Sequence, residues 1–122
     1  MTFVNADSTT AKTLLTAGAN GTVVRGIFGT TNDTSANNVA VSINDGSTTF
    51  LLGTVRLATL SGTDGAVNGV DLLNTTAMPG LELDGAGNAV LYLKAGYTLK
   101  VAPLVAVTAA KTLTLFAMGR DF

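Results

Sequence analysis

The chain contains no cysteine, no histidine and no tryptophan. The first absence removes any disulfide framework and any thiolate metal ligand. The first two together remove the Cys nucleophile and the His-dependent triad, and leave paired carboxylates as the common acid–base machinery. Charge is scarce as well. Only 12% of residues are charged, about half the usual quarter. The formal net charge is −1, and without a basic excess a nucleic-acid partner is not expected. Long apolar runs are missing too: the longest, Val101 to Val107, is interrupted by Pro103. It falls far short of the ~20 residues a membrane-spanning helix needs, so no membrane partner is expected. The opening residues, MTFVNADSTT, lack the basic and apolar regions of a signal peptide.

What is present is apolar. Hydrophobic residues make up 47% of the sequence and the mean hydropathy is +0.43. A small monomer so poor in charge has little with which to solvate its surface. The composition therefore favours an oligomer or assembly in which a partner, most simply another copy, covers part of that surface. A neutral surface rich in Thr, Ser and Asn is the competing reading. The 122 residues suffice for one domain that hides roughly two thirds of its unfolded surface. Residues 1–10 read as an arm, polar except for Phe3 and Val4, and residues 11–122 as a single β-sandwich domain.

The strongest local signal runs from Asn38 to Leu57. Val39, Val41 and Ile43 alternate with Ala40, Ser42 and Asn44, the period of a half-buried strand. Asp45-Gly46 then supplies a tight turn. On the return arm Phe50 and Leu52 have the opposite parity to Val55 and Leu57. A β-bulge at Gly53 puts all four on one face; a corner at Gly53 is the alternative. Further strands are predicted over Ala11–Thr16, Thr22–Thr30, Ala89–Lys94, Tyr97–Ala102 and Thr112–Met118, with Leu104–Val107 at best an edge segment after Pro103. Thr22–Thr30 is apolar on both faces, Val24 and Phe28 on one and Val23 and Ile27 on the other, which again points to a partner. Seven to nine short strands with almost no helix predict an all-β chain. The expected architecture is an antiparallel β-sandwich of jelly-roll type.

Ser61 to Asn88 breaks this regularity. It holds six glycines, a possible helical turn around Val70–Asn74, a very short strand at Leu81–Leu83 and a turn at Asp84–Asn88. Long irregular stretches in compact domains are usually contact loops.

The carboxylates available for acid–base chemistry, Asp64, Asp71, Glu82 and Asp84, all lie in this segment. They read first as solvated turn and edge charges. Asp84-Gly85-Ala86-Gly87-Asn88 reads as a turn rather than a calcium loop, being short of carboxylates. Gly62–Gly69 has no lysine and opens no phosphate-binding helix. Tyr92 and Tyr97 fit packing better than a sugar platform. Arg25 and Arg56 fall inside predicted strands, where they either pair across an interface or face solvent. No enzyme activity, cofactor or metal is expected. The residues expected to meet a partner are Phe3, Val4, Val23, Arg25, Ile27, Asp64, Val70 and Leu72.

The order of motifs adds a resemblance. AKTLLTAGANG (Ala11–Gly21) leads into GIFGT (Gly26–Thr30), then Asn44-Asp45-Gly46 and FLLGTV (Phe50–Val55). Later come Leu73-Asn74, MPGL (Met78–Leu81), Leu83-Asp84 with Gly87-Asn88, LKAGYTLKV (Leu93–Val101) and TAAKTL (Thr108–Leu113). From Ala11 onward this resembles the small capsid decoration, or cement, proteins of tailed bacteriophages. The shared motifs are turns and strands and bring no catalytic residues. The resemblance implies a jelly-roll or sandwich on the outer surface of the virion capsid. It would be a homotrimer that binds the major capsid protein and clamps neighbouring capsomers. The alternative is a host-recognition or carbohydrate-binding module of a phage fibre or tail, with an aromatic cleft near Tyr92 or Tyr97.

Overall fold

A computed structural model describes residues 1–122. The chain forms ten strands and one short 3-10 turn, Asn5–Asp7. The strands are β1 (Thr2–Phe3), β2 (Lys12–Thr16), β3 (Thr22–Thr31), β4 (Asn37–Asn44), β5 (Thr49–Leu57), β6 (Val70–Asp71), β7 (Glu82–Leu83), β8 (Ala89–Leu93), β9 (Thr98–Pro103) and β10 (Leu113–Asp121). All pairings are antiparallel. One sheet has the order β1-β10-β3-β8-β7, with β6 also on β3; the other has the order β2-β9-β4-β5. The two sheets make an antiparallel β-sandwich. Successive long strands mostly change sheet, and β4–β5 is the main hairpin within one sheet.

The core between the sheets is built by the period of two. Val39, Val41, Val55, Leu57, Leu99 and Val101 come from the four-stranded sheet, and Val24, Ile27, Leu93, Leu113 and Leu115 from the other. Gly29 sits where the layers close on each other. A Cβ there would lie 2.9 to 3.1 Å from Leu72, Leu57 and Leu115, so only a residue without a side chain keeps this packing distance.

The β4–β5 hairpin forms as its alternation dictates, with two adjustments. Val41 faces Gly53 and Ser42 faces Leu51, so the extra residue is Leu52, one place before the glycine. The bulge keeps Phe50, Val55 and Leu57 on the side of Val39, Val41 and Ile43, and Leu52 still packs on the core. The connection spans Asp45–Thr48 rather than a two-residue turn, because the Asp45 carboxylate accepts the Ser47 and Thr48 N–H groups at 3.0 and 2.8 Å. Gly46 takes φ 106° in this loop, a conformation a side chain resists.

The arm is part of the body. Thr2 and Phe3 pair with Thr114 and Leu113, and Phe3 is fully buried. Lys12 places its ammonium 4.9 Å from the centre of the Phe3 ring and 2.8 Å from the Asp7 carboxylate. The segment after β5 is irregular but packed. Leu72, Leu73 and Met78 enter the core. Val70–Asp71 is a strand against Phe28 and Gly29, not a helical turn. A single α-turn lies further on in this segment, where Met78 N–H donates to the Asn74 carbonyl. Leu104–Val107 forms no strand, since Pro103 closes β9.

Candidate functional site

The feature that stands out is the outer face of the six-stranded sheet. It originates in one extra residue. Val24 faces Gly119 and Gly26 faces Met118, so Arg25 is a bulge on β3. Gly119 makes room for it, because a Cβ at that position would collide with the Val23 carbonyl. The bulge reverses the parity of the strand. Val24 and Ile27, on opposite faces in a regular strand, both point into the core. Val23, Gly26 and Phe28 are left on the outer face. The two-sided apolar character of Thr22–Thr30 is real, but its faces pair differently from simple alternation.

Neighbouring strands continue the patch. On β10, Leu113 and Leu115 are buried while Phe116 and Met118 are exposed. On β8, Ala89, Leu91 and Leu93 pack inward, which turns Val90 and Tyr92 outward. Phe116 stands directly across from Phe28, Met118 from Gly26, and Tyr92 from Val23. The Phe28 ring lies over Gly26, with ring carbons 3.0 and 3.1 Å from where a Cβ would be. Tyr92 stacks on Phe122 with ring centres 6.2 Å apart and planes inclined by 15°. The exposures are 43% for Phe28, 59% for Phe116, 51% for Met118, 53% for Tyr92 and 55% for Phe122. Half-exposed aromatic side chains on adjacent strands, with Phe28 laid over Gly26 and Tyr92 stacked on Phe122, form an apolar surface with an ordered geometry.

Two clefts flank β8. One, about 270 Å³, is mostly apolar and lined by Leu52, Met78, Leu81, Glu82, Val90 and Tyr92 among others. The second, about 370 Å³, is polar and includes Arg25, Asp71, Asn74, Asp84 and Asn88. Arg25 and Asp84 approach to 3.6 Å there. Asp71 and Asp84 thus share a cleft, while Glu82 lines the other one and Asp64 lines neither.

The carboxylates in the irregular segment hold backbone. Asp71 Oδ1 accepts from Ile27 N at 3.1 Å and Leu73 N at 3.0 Å. This docks β6 against β3. Asp84 Oδ1 accepts from Ala86 N and Asn88 N, both at 2.9 Å. The Asn88 N–H above all holds Asp84 below the usual carboxylate value, with smaller help from Ala86 N–H and the Arg25 charge against partial burial. Asp64 accepts from Val67 N and Ala66 N, which lower its pKa in that order of importance. Carboxylates held low stay ionised at neutral pH and are poorly suited to donate a proton. Asp84–Asn88 is a turn, closed by Asp84 N–H to the Asn88 carbonyl at 2.9 Å, with Gly87 at φ 86°. No group of three or more Asp, Glu, His or Cys side chains comes together as a metal site.

The residues expected from sequence to meet a partner divide sharply. Phe3, Ile27 and Leu72 are enclosed in the chain's own core, so they have no surface to offer. Val23 lies on the outer face but is covered by its neighbours. Val70 is half-buried in β6. Val4, Arg25 and Asp64 are exposed, and of these Arg25 borders the outer face. Tyr97 packs partly against the core, whereas Tyr92 is exposed. Sequence reasoning passed over Phe116, Met118 and Phe122. The signal was present, because Phe116 occupies the outward phase of the strand, where the preceding positions Thr112 and Thr114 are small and polar.

No protein-family profile matches the chain, and no curated protein and no solved structure is significantly similar to it.

Proposed function

We propose that the protein is a structural virion component, a decoration protein that binds between major capsid protein subunits on the outer surface of a phage capsid and acts as a homo-oligomer, with a trimer favoured. The observation that carries the binding half of this reading is the apolar outer face built by Phe28, Phe116, Met118, Tyr92 and Phe122. A charge-poor sandwich with such a face gains by association. The capsid half rests on the motif resemblance from Ala11 to Leu113. The connectivity supports it as well. Counting the eight principal strands in chain order (β1 to β5, then β8 to β10), the sheets run 1-8-3-6 and 2-7-4-5, which we read as a jelly roll. Many copies, each with a modest interface, would bind a shell with high avidity.

The test is location and consequence. Mass analysis of purified particles is expected to find this chain in fixed ratio to the capsid protein. Particles lacking it should release their genome at lower temperature or on chelator treatment. Absence from intact particles, or equal stability without it, would refute the proposal.

A second reading has one specific observation in its favour. The Tyr92–Phe122 stack beside the apolar cleft is the kind of surface on which a sugar ring stacks. A host-recognition module predicts glycan-array binding that Tyr92→Ala abolishes. An array without signal removes this reading.

A further inference from the structure

We infer that the outer face of the six-stranded sheet is the surface through which copies of this chain associate, with the Phe28–Phe116 pair at its centre. This deepens the oligomeric part of the function proposed above and is independent of the capsid part.

The first argument is area. An aromatic side chain presents roughly 150–250 Å², so five large apolar side chains at about half exposure offer about 500 Å² per copy. A standard protein interface covers about 800 Å² on each partner, and homodimer interfaces are about 65% apolar, which again is about 500 Å². The patch therefore supplies the apolar share of one stable contact. The second argument is charge. All five side chains are uncharged. Of the neighbouring charged groups, Arg25 is already drawn towards Asp84 at 3.6 Å, and Arg120, across from Val23, is the one charge on the face itself, between Met118 and Phe122. Apart from that one arginine the face calls for an apolar partner, and another copy of the same face supplies one.

The third argument is preorganisation. Phe28 is laid over Gly26, and Tyr92 is stacked on Phe122. Rings already fixed by intrachain contacts lose little freedom on association. Most of the other exposed apolar side chains lie away from this face. Phe50 and Leu51 flank the end of the β4–β5 hairpin, and Leu104 and Val105 lie in the loop after β9.

The experiment is the mass of the full chain in solution, by light scattering across a dilution series. The variants are Phe116→Lys and, as a control on the other sheet, Leu51→Lys. Wild type is expected at a multiple of 12.3 kDa. Leu51→Lys should behave like wild type. Phe116→Lys should shift to the mass of one chain with unchanged circular dichroism. Losing a central aromatic costs at least about thirtyfold per copy, or about a thousandfold in a symmetric pair. If the lysine variant fails to fold, Phe116→Thr keeps a strand-forming residue at the site and is read in the same way. A monomeric wild type, or a folded Phe116 variant that stays oligomeric, overturns the inference. Should wild type be monomeric while Phe116→Lys loses binding to capsid shells, the face belongs to the capsid contact: the inference fails and the decoration function stands. A dimeric mass supports the face and removes only the trimer.

Discussion

Replacing Gly53 by alanine tests how the irregular segment is tied to the sandwich. A Cβ on Gly53 would sit 2.6 Å from the Ala77 carbonyl oxygen and 2.8 Å from Met78 Cγ. The carbonyl cannot swing aside freely. The turn that carries it is closed by Met78 N–H to the Asn74 carbonyl at 3.0 Å and by Ala77 N–H to Asn74 Oδ1 at 2.9 Å. The methyl must therefore lift Asn74–Met78 off β5. Overpacking of this kind costs about 1–3 kcal/mol, and partial exposure of the buried Met78 adds a share of the roughly 1.5–3 kcal/mol that its burial is worth. We expect about 3 kcal/mol in total. For a domain of this size that corresponds to a melting temperature lower by about 10 °C. Gly80→Ala is the matched control, since no heavy atom lies within 4 Å of its Cβ position; it should be neutral or stabilising by up to about 1 kcal/mol. Urea titration with an unchanged slope would measure both. If Gly53→Ala stays within about 0.5 kcal/mol of wild type, the segment is not clamped at this point.

Other consequences are equally direct. Phe3→Ala removes a fully buried ring from the core and should cost about 3–5 kcal/mol in chemical denaturation; a loss under about 1 kcal/mol would mean that β1 is dispensable. Asp33 is buried, which acts to raise its pKa, but the N–H groups of Thr108 and Ser35 overcome this and hold it below the usual carboxylate value. A carboxyl depressed in the folded state contributes stability that is present above its unfolded value and is lost as pH falls through the folded one. Wild type should therefore lose more stability below about pH 4 than Asp33→Asn does, and parallel pH profiles would refute this. Arg25→Met should change stability by less than about 0.5 kcal/mol by thermal melt, since its ion pair with Asp84 is long and exposed.

The resemblance and the structure contribute separately to the proposed role. The capsid part of that proposal rests on the motif resemblance alone, and none of those motifs is chemical. The geometry alone points to association, through side chains that belong to none of the quoted motifs apart from Phe28. Asp71 and Asp84, the two carboxylates that share a cleft, hold β6 and the Asp84–Asn88 turn in place.

What the sequence determined by itself is what local physics governs. Alternation in Val39–Ile43 and Leu113–Ala117, turn chemistry at Asp45-Gly46 and Asp84–Asn88, and the break at Pro103 depend on residues a few places apart, and they placed the long strands and the all-β class. The tertiary structure decided the rest. That Arg25 is a bulge follows from Gly119 yielding space to the Val23 carbonyl across the sheet, a contact nearly a hundred residues away in sequence. Ile27 turns inward and Phe28 outward as a result. Phe3 and Leu72, apolar residues in a polar arm and a glycine-rich loop, pass for surface anchors until the strands that enclose them are in place. The exposed face exists only once β3, β8 and β10 lie side by side. No run of neighbours in the chain contains it.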